Sequence, residues 1–166
     1  MLRFAHIDHV VLRVVNLRTM LDFYVGVLGC TPERDRPDLG LYQVRAGASL
    51  IDLVPIDEPL GRAGGAAPGR EGRNLDHFCL QLQSFNGDAI IAWLHERGVK
   101  IVGELKTRYG AQGDGPSLYI EDPEGNVVEL KGPVAEGESV GGEAASRGIA
   151  GDESAGVESA GAGGQR

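Results

Sequence analysis

The strongest constraint in this sequence is that it contains one segment twice. Ile7-Asp8-His9-Val10-Val11-Leu12-Arg13-Val14 matches Leu75-Asp76-His77-Phe78-Cys79-Leu80-Gln81-Leu82 position by position. Both copies are rich in β-branched and apolar residues and read as strands. Each is followed by a stretch with apolar residues at three- and four-residue spacing, the period of a helix. The first helix runs from about Leu17 to Leu28, with Leu17, Leu21, Tyr24, Val25 and Leu28 on one face and Asn16 as its cap. The second runs from about Gly87 to Arg97, with Ile90, Ile91, Leu94 and Trp93 turned inward. Gly29 and Gly98 stand where C-caps are expected.

Strand-like segments follow in each half: 40–45 and 48–54 in the first, 100–103, 117–120 and 126–131 in the second. Asp122-Pro123-Glu124-Gly125-Asn126 reads as a turn that makes the last two strands a hairpin. The expected pattern is βαβββ twice, an α+β arrangement with two sheets. Its modules cover about 3–54 and 75–132, joined by a glycine- and proline-rich crossover loop. The remaining segment, 133–166, is of different material. From Gly132 onward there are ten glycines, no aromatic residue, and six acids against two arginines, half of the net charge of −8. Such a composition buries too little apolar surface to offset its ordering entropy, so a disordered Gly/Ala/Glu-rich tail is expected.

The duplication also places four polar residues at matched points. His9 and His77 share one position of the first strand, while Asp52 and Glu129 lie midway along the last strand of their modules, flanked by aliphatics. A lone strand histidine is more often a core or edge residue, which is how His6 and His95 are read. A buried, unpaired carboxylate costs several kcal/mol by order of magnitude, so each acid calls for a cation or a metal. If a pseudo-twofold axis relates the repeats, the four side chains can converge. Two imidazoles with one or two carboxylates suit one divalent ion per site: zinc, nickel, manganese or ferrous iron. Asp8 and Asp76 read as strand-face polars.

Composition removes other classes of partner. A net charge of −8 argues against nucleic acid as a partner, since neutralising phosphates needs a basic face. No apolar run approaches the ~20 residues of a membrane span, and the start lacks a secretory pattern. Cys30 and Cys79 form no CxxC pair and fit a reducing, cytoplasmic setting, with Cys79 read as a buried, inert thiol.

The segments HVVLRV, LDFYVGVLG, LDHFCLQL and YIEDPEGNVVEL, spanning about residues 5–131, resemble the vicinal-oxygen-chelate superfamily of glyoxalases, bleomycin-resistance proteins and extradiol dioxygenases. The resemblance implies paired modules cupping a metal, usually in a homodimer. By position it makes His9, His77 and Glu129 metal ligands. Asp52 falls at the fourth ligand of glyoxalase I, one methylene shorter than the glutamate there, and is either a ligand or the base. Arg13 matches an arginine that binds the glutathione carboxylate, but Ile56 replaces an expected asparagine. Tyr119 matches a tyrosine ten residues before the glutamate in the dioxygenases. The implied activity is that of a metal-dependent lyase or isomerase, acting through a metal-chelated enediolate on a small oxygenated substrate, such as a thiol adduct. Glu129 or Asp52 would be the base, Arg13 and Arg108 would hold an anion, and Tyr119 would orient an oxygen. The alternatives are a ring-cleaving dioxygenase, a fosfomycin-resistance-like thiol transferase, and a non-enzymatic protein that sequesters a small molecule.

Overall fold

The repeated segment folds into two copies of one unit. The computed structural model describes residues 2–134; the tail expected to be disordered lies, from residue 135, outside the described residues. The first module contains β1 (His9–Val14), α1 (Leu17–Leu21), a π-helical turn (Asp22–Val27), β2 (Thr31–Arg36), β3 (Leu41–Ala46) and β4 (Ser49–Pro55). A short helix, α2 (Pro59–Arg62), begins the crossover loop. The second module contains β5 (His77–Gln81), α3 (Gly87–Glu96), β6 (Ile101–Gly110), β7 (Gly113–Glu121) and β8 (Val127–Lys131).

The two sheets have the same order, β1-β4-β3-β2 and β5-β8-β7-β6. In each, the first strand runs parallel to the last and forms the sheet edge. Alternation sends one set of side chains from each strand into the shared core and the other set to the opposite face. Leu12, Val14, Ile51 and Leu53 take the core side of the first sheet, and Phe78, Leu118, Ile120 and Val128 that of the second. His9, Asp52, His77 and Glu129 belong to the opposite faces, which form two cups.

The caps follow the sequence reading. Asn16 accepts from the Thr19 amide, Asn86 from the Ala89 amide, and Gly29 and Gly98 have positive φ. The first helix departs from it. After one α turn it widens, and the Leu28 amide bonds to the Phe23 carbonyl five residues back. Met20 is buried from the α turn and Phe23 and Tyr24 from the wider one, while Leu17, Leu21, Val25 and Leu28 are only partly buried. β2 was not among the expected strand segments, because Thr-Pro-Glu-Arg-Asp-Arg on an exposed edge carries no apolar alternation.

Module contacts are polar as well as apolar. The Tyr24 hydroxyl donates to buried Asp122 (2.9 Å), and the Trp93 indole donates to the Val27 carbonyl (3.0 Å). The Glu124 carboxylate accepts the Val15 and Asn16 amides at the entry to α1. The DPEGN turn thus fastens the second module to the first helix.

Candidate metal centre

In the second cup the functional groups already touch. Glu129 on β8 is in register with Cys79 on β5 and Tyr119 on β7, and His77 stands one same-face step before Cys79. The His77 Nε2 lies 3.4 Å from a Glu129 oxygen. The Ser117 hydroxyl donates to the other Glu129 oxygen. The His77 Nδ1 is 2.8 Å from Asp76, so a proton there leaves Nε2 free as a donor atom for a metal. The Tyr119 ring packs edge-on against His77 at 5.1 Å, and the Arg108 guanidinium stacks over Tyr119 at 4.5 Å. Burial, reinforced by the Glu129 charge, pushes the phenol of Tyr119 above its ordinary pKa.

The first cup is looser. Asp52 is in register with Val11, and His9 stands one same-face step earlier, matching His77. Asp52 is buried, with one oxygen accepting from the Gln43 amide (2.9 Å). The His9 Nδ1 is 2.8 Å from Asp8. That bond first, and the Asp52 charge second, raise the imidazole's pKa.

The structure does not bring the four expected ligands together. Among the described residues no three His, Cys, Asp or Glu side chains gather as a cation cage. Instead, His9 on β1 and His77 on β5 flank a groove of about 590 Å³ between the two sheet edges. Strand register aligns residues within a sheet, but it does not close the distance between sheets. The donor set itself fits a divalent ion. Two ligands at about 2.0–2.2 Å from one tetrahedral ion stand roughly 3.4 Å apart, which is the His77–Glu129 separation. A carboxylate lies 2.8 Å from the Nδ1 of each imidazole, Asp8 at His9 and Asp76 at His77, and fixes the ring's orientation.

Two further expectations change. Cys79 is exposed rather than buried, because β5 is a sheet edge and this residue faces the cup. Desolvation and the neighbouring Glu129 carboxylate push its thiol up to about 11. Arg13 does not present its guanidinium for an incoming anion, since all of its donors are bound to backbone carbonyls. The sequence reading undervalued Asp8 and Asp76 and missed Ser117 and Gln43. The repeated Asp-His pair was the available signal for the first two; nothing comparable marked the others.

The comparisons with known proteins follow this geometry. The family model of the Glyoxalase/Bleomycin resistance protein/Dioxygenase superfamily matches residues 6–130. The chain belongs to this superfamily. Virulence protein STM3117 of Salmonella typhimurium is 29% identical over 129 residues, 75% of this chain and 81% of the relative. The crystal structure of that protein covers 80% of this chain and 100% of its own, with a TM-score of 0.65 and 26% identity. TnmS3, an antibiotic-binding protein from Streptomyces sp. CB03234, covers 81% of this chain and 100% of its own, with a TM-score of 0.57 and 25% identity. Lactoylglutathione lyase from Agrobacterium tumefaciens covers 77% and 93%, with a TM-score of 0.55; at 20% identity the likeness is one of fold. Proteins of this fold thus include an antibiotic-binding protein as well as a lyase.

Proposed function

We propose that this chain is a metal-dependent lyase or isomerase of glyoxalase type, with each site assembled between two copies of the chain. The observation that carries the reading is the His77–Glu129 pair, spaced at 3.4 Å and braced by Asp76 and Ser117. A pairing of copies is supported by the two free sheet edges and by the apolar residues beside them, Ile7, Val11, Val15 and Leu75, all exposed. The first cup of one copy, with His9 and Asp52, would then face the second cup of its partner. Two free cysteines, one buried and one exposed, suit a reducing cytoplasm.

His9, His77 and Glu129 would hold the ion, which when bound supplies Lewis-acid polarisation of two adjacent substrate oxygens. Asp52 is the better base: Gln43 holds one of its oxygens, and the other, without a partner among the described residues, would take a proton from a substrate carbon and return it to the neighbouring one. Glu129, tied to Ser117 and His77, would act as a ligand, a role its contacts support. Tyr119 would orient a substrate oxygen. Arg108 spends one donor on the Ser117 carbonyl, and its other donors, without partners among the described residues, would serve an anionic group.

Complementation tests the shared site. His9→Ala and His77→Ala chains should each lose metal. Mixed in equal amounts and allowed to exchange, they should regain about a quarter of the wild-type metal and turnover, because half the dimers are mixed and one of their two sites is intact. Mixed dimers without recovery overturn the shared site. Wild-type protein that takes up no divalent ion overturns the metal reading itself.

A second reading, a binding protein, has one observation in its favour. The groove between the sheet edges is lined mostly by apolar side chains such as Val10, Ile51, Phe78 and Leu80, and TnmS3, with a similar fold, binds an antibiotic. Ligand binding that survives chelation would favour it.

A further inference from the structure

Arg13 stands on β1 four residues after His9, on the same face of the strand, about 13 Å along it. Its guanidinium is fully used. Nε and Nη2 donate to the Gly61 carbonyl (3.1 and 2.8 Å), Nη2 to Gly65 (2.7 Å), and Nη1 to Gly64 (3.0 Å) and Ala66 (2.8 Å). An arginine has five N–H donors, and five bonds are made. These carbonyls belong to the end of α2 and the loop after it; the Gly61 carbonyl also accepts the Gly64 amide (3.2 Å), so the guanidinium adds to a turn that is already closed. The loop's sequence is fitted to the arginine: a Cβ at Gly64 would collide with the guanidinium, and one at Gly61 with the Pro55 carbonyl.

The second cup repeats the arrangement. Arg13 is in register with Val54, and Gln81, its counterpart, with Lys131. That row therefore carries one cation in each module. Lys131 is buried, and its ammonium donates to the carbonyls of Arg108 and Gly115 at the β6–β7 hairpin. Two independent cations at matched places are both committed to holding a glycine-containing segment.

We propose that Arg13 is a positioning residue that fastens the 61–66 loop as the end wall of the first cup, and that this end accepts an uncharged part of the substrate. A carboxylate arriving there meets no free donor on Arg13, because all five are taken by loop carbonyls. The proposal rests on the glyoxalase-type reading for its substrate, but not for the loop.

The test uses the full-length chain and two variants. Arg13→Lys keeps the charge but cannot make the fork; Gly64→Ala keeps the arginine but drives it from its seat. Brief trypsin treatment with mass analysis reads the loop at Arg62. Both variants should be cut there about tenfold faster than wild type, since the pinned loop must open before cleavage. The second measurement compares kcat/KM for two hemithioacetals of one α-oxoaldehyde, formed with glutathione and with uncharged 2-mercaptoethanol. Wild type should prefer neither by more than about tenfold, whereas a guanidinium receiving a carboxylate would give about a hundredfold preference for the glutathione adduct. Unchanged cutting in both variants overturns the wall. A hundredfold glutathione preference that Arg13→Lys abolishes overturns the uncharged end. If neither adduct turns over in wild type, the glyoxalase-type reading fails and so does the substrate half of this proposal, while the cutting rates still decide the wall.

Discussion

Glu129 and Asp52 occupy equivalent places in the two modules, each on the last strand beside a histidine-bearing edge strand. Their surroundings differ. Glu129 contacts an imidazole and a hydroxyl, whereas Asp52 has, among the described residues, one amide partner and acts on His9 through its charge. The difference teaches that duplication preserved the strand positions while the chemistry divided. One module holds an imidazole and a carboxylate already in contact, and the other contributes a histidine and a carboxylate that do not pair directly among the described residues. Preorganisation of that kind reduces the cost of assembling a site.

Breaking the preorganised half should have the largest effect. Glu129→Ala should abolish stoichiometric metal, as measured by elemental analysis after dialysis, while circular dichroism stays native. Retention of a full equivalent would show that the second cup is not the anchor. Next comes Asp52→Asn in the looser half. It should lower turnover by about 10²–10⁴-fold, because an amide cannot accept the proton, and should change metal content little. Full activity of this variant on a thiol adduct would remove Asp52 as the base.

The residues behind the imidazoles offer a finer comparison. Asp76→Asn and Asp8→Asn should each weaken metal binding by about 10–100-fold in competition titrations with a chelator. Equal effects would show that both histidines share one ion; a loss confined to Asp76→Asn would leave the first cup outside the metal sphere. The smallest effect concerns Cys79. With its thiol raised to about 11, little thiolate exists near neutrality. Iodoacetamide should therefore label Cys79 slowly at pH 7.5 and faster as pH rises, and Glu129→Gln should speed labelling several-fold by removing the adjacent negative charge. Rates that ignore both changes would separate the thiol from Glu129.

Much of this was legible in the sequence. Histidines at matched repeat positions and acids between aliphatics disclosed the strand faces, because period-two alternation fixes the side a residue takes. Asn16, Asn86, Gly29 and Gly98 mark the helix ends through their own local bonds or dihedrals. The separation of His9 and Asp52 from His77 and Glu129 was not legible, since it depends on how two sheets sit against each other. Nor was the occupation of Arg13, whose partners are backbone carbonyls that any residue could supply. The π turn at Asp22–Val27 escaped because its apolar residues also satisfy α-helical spacing over one turn.

The DPEGN turn has a consequence for descent. Asp122 receives the Tyr24 hydroxyl and the Glu124 and Asn126 amides, and Glu124 holds the entry to α1. None of these atoms belongs to the cups. A lineage built on this chain could exchange the residues of its cups, and with them whatever it binds or converts, while remaining under pressure to keep the latch. The motif by which such descendants would be recognised as kin therefore records a shared assembly problem, and says little about which of them are still enzymes.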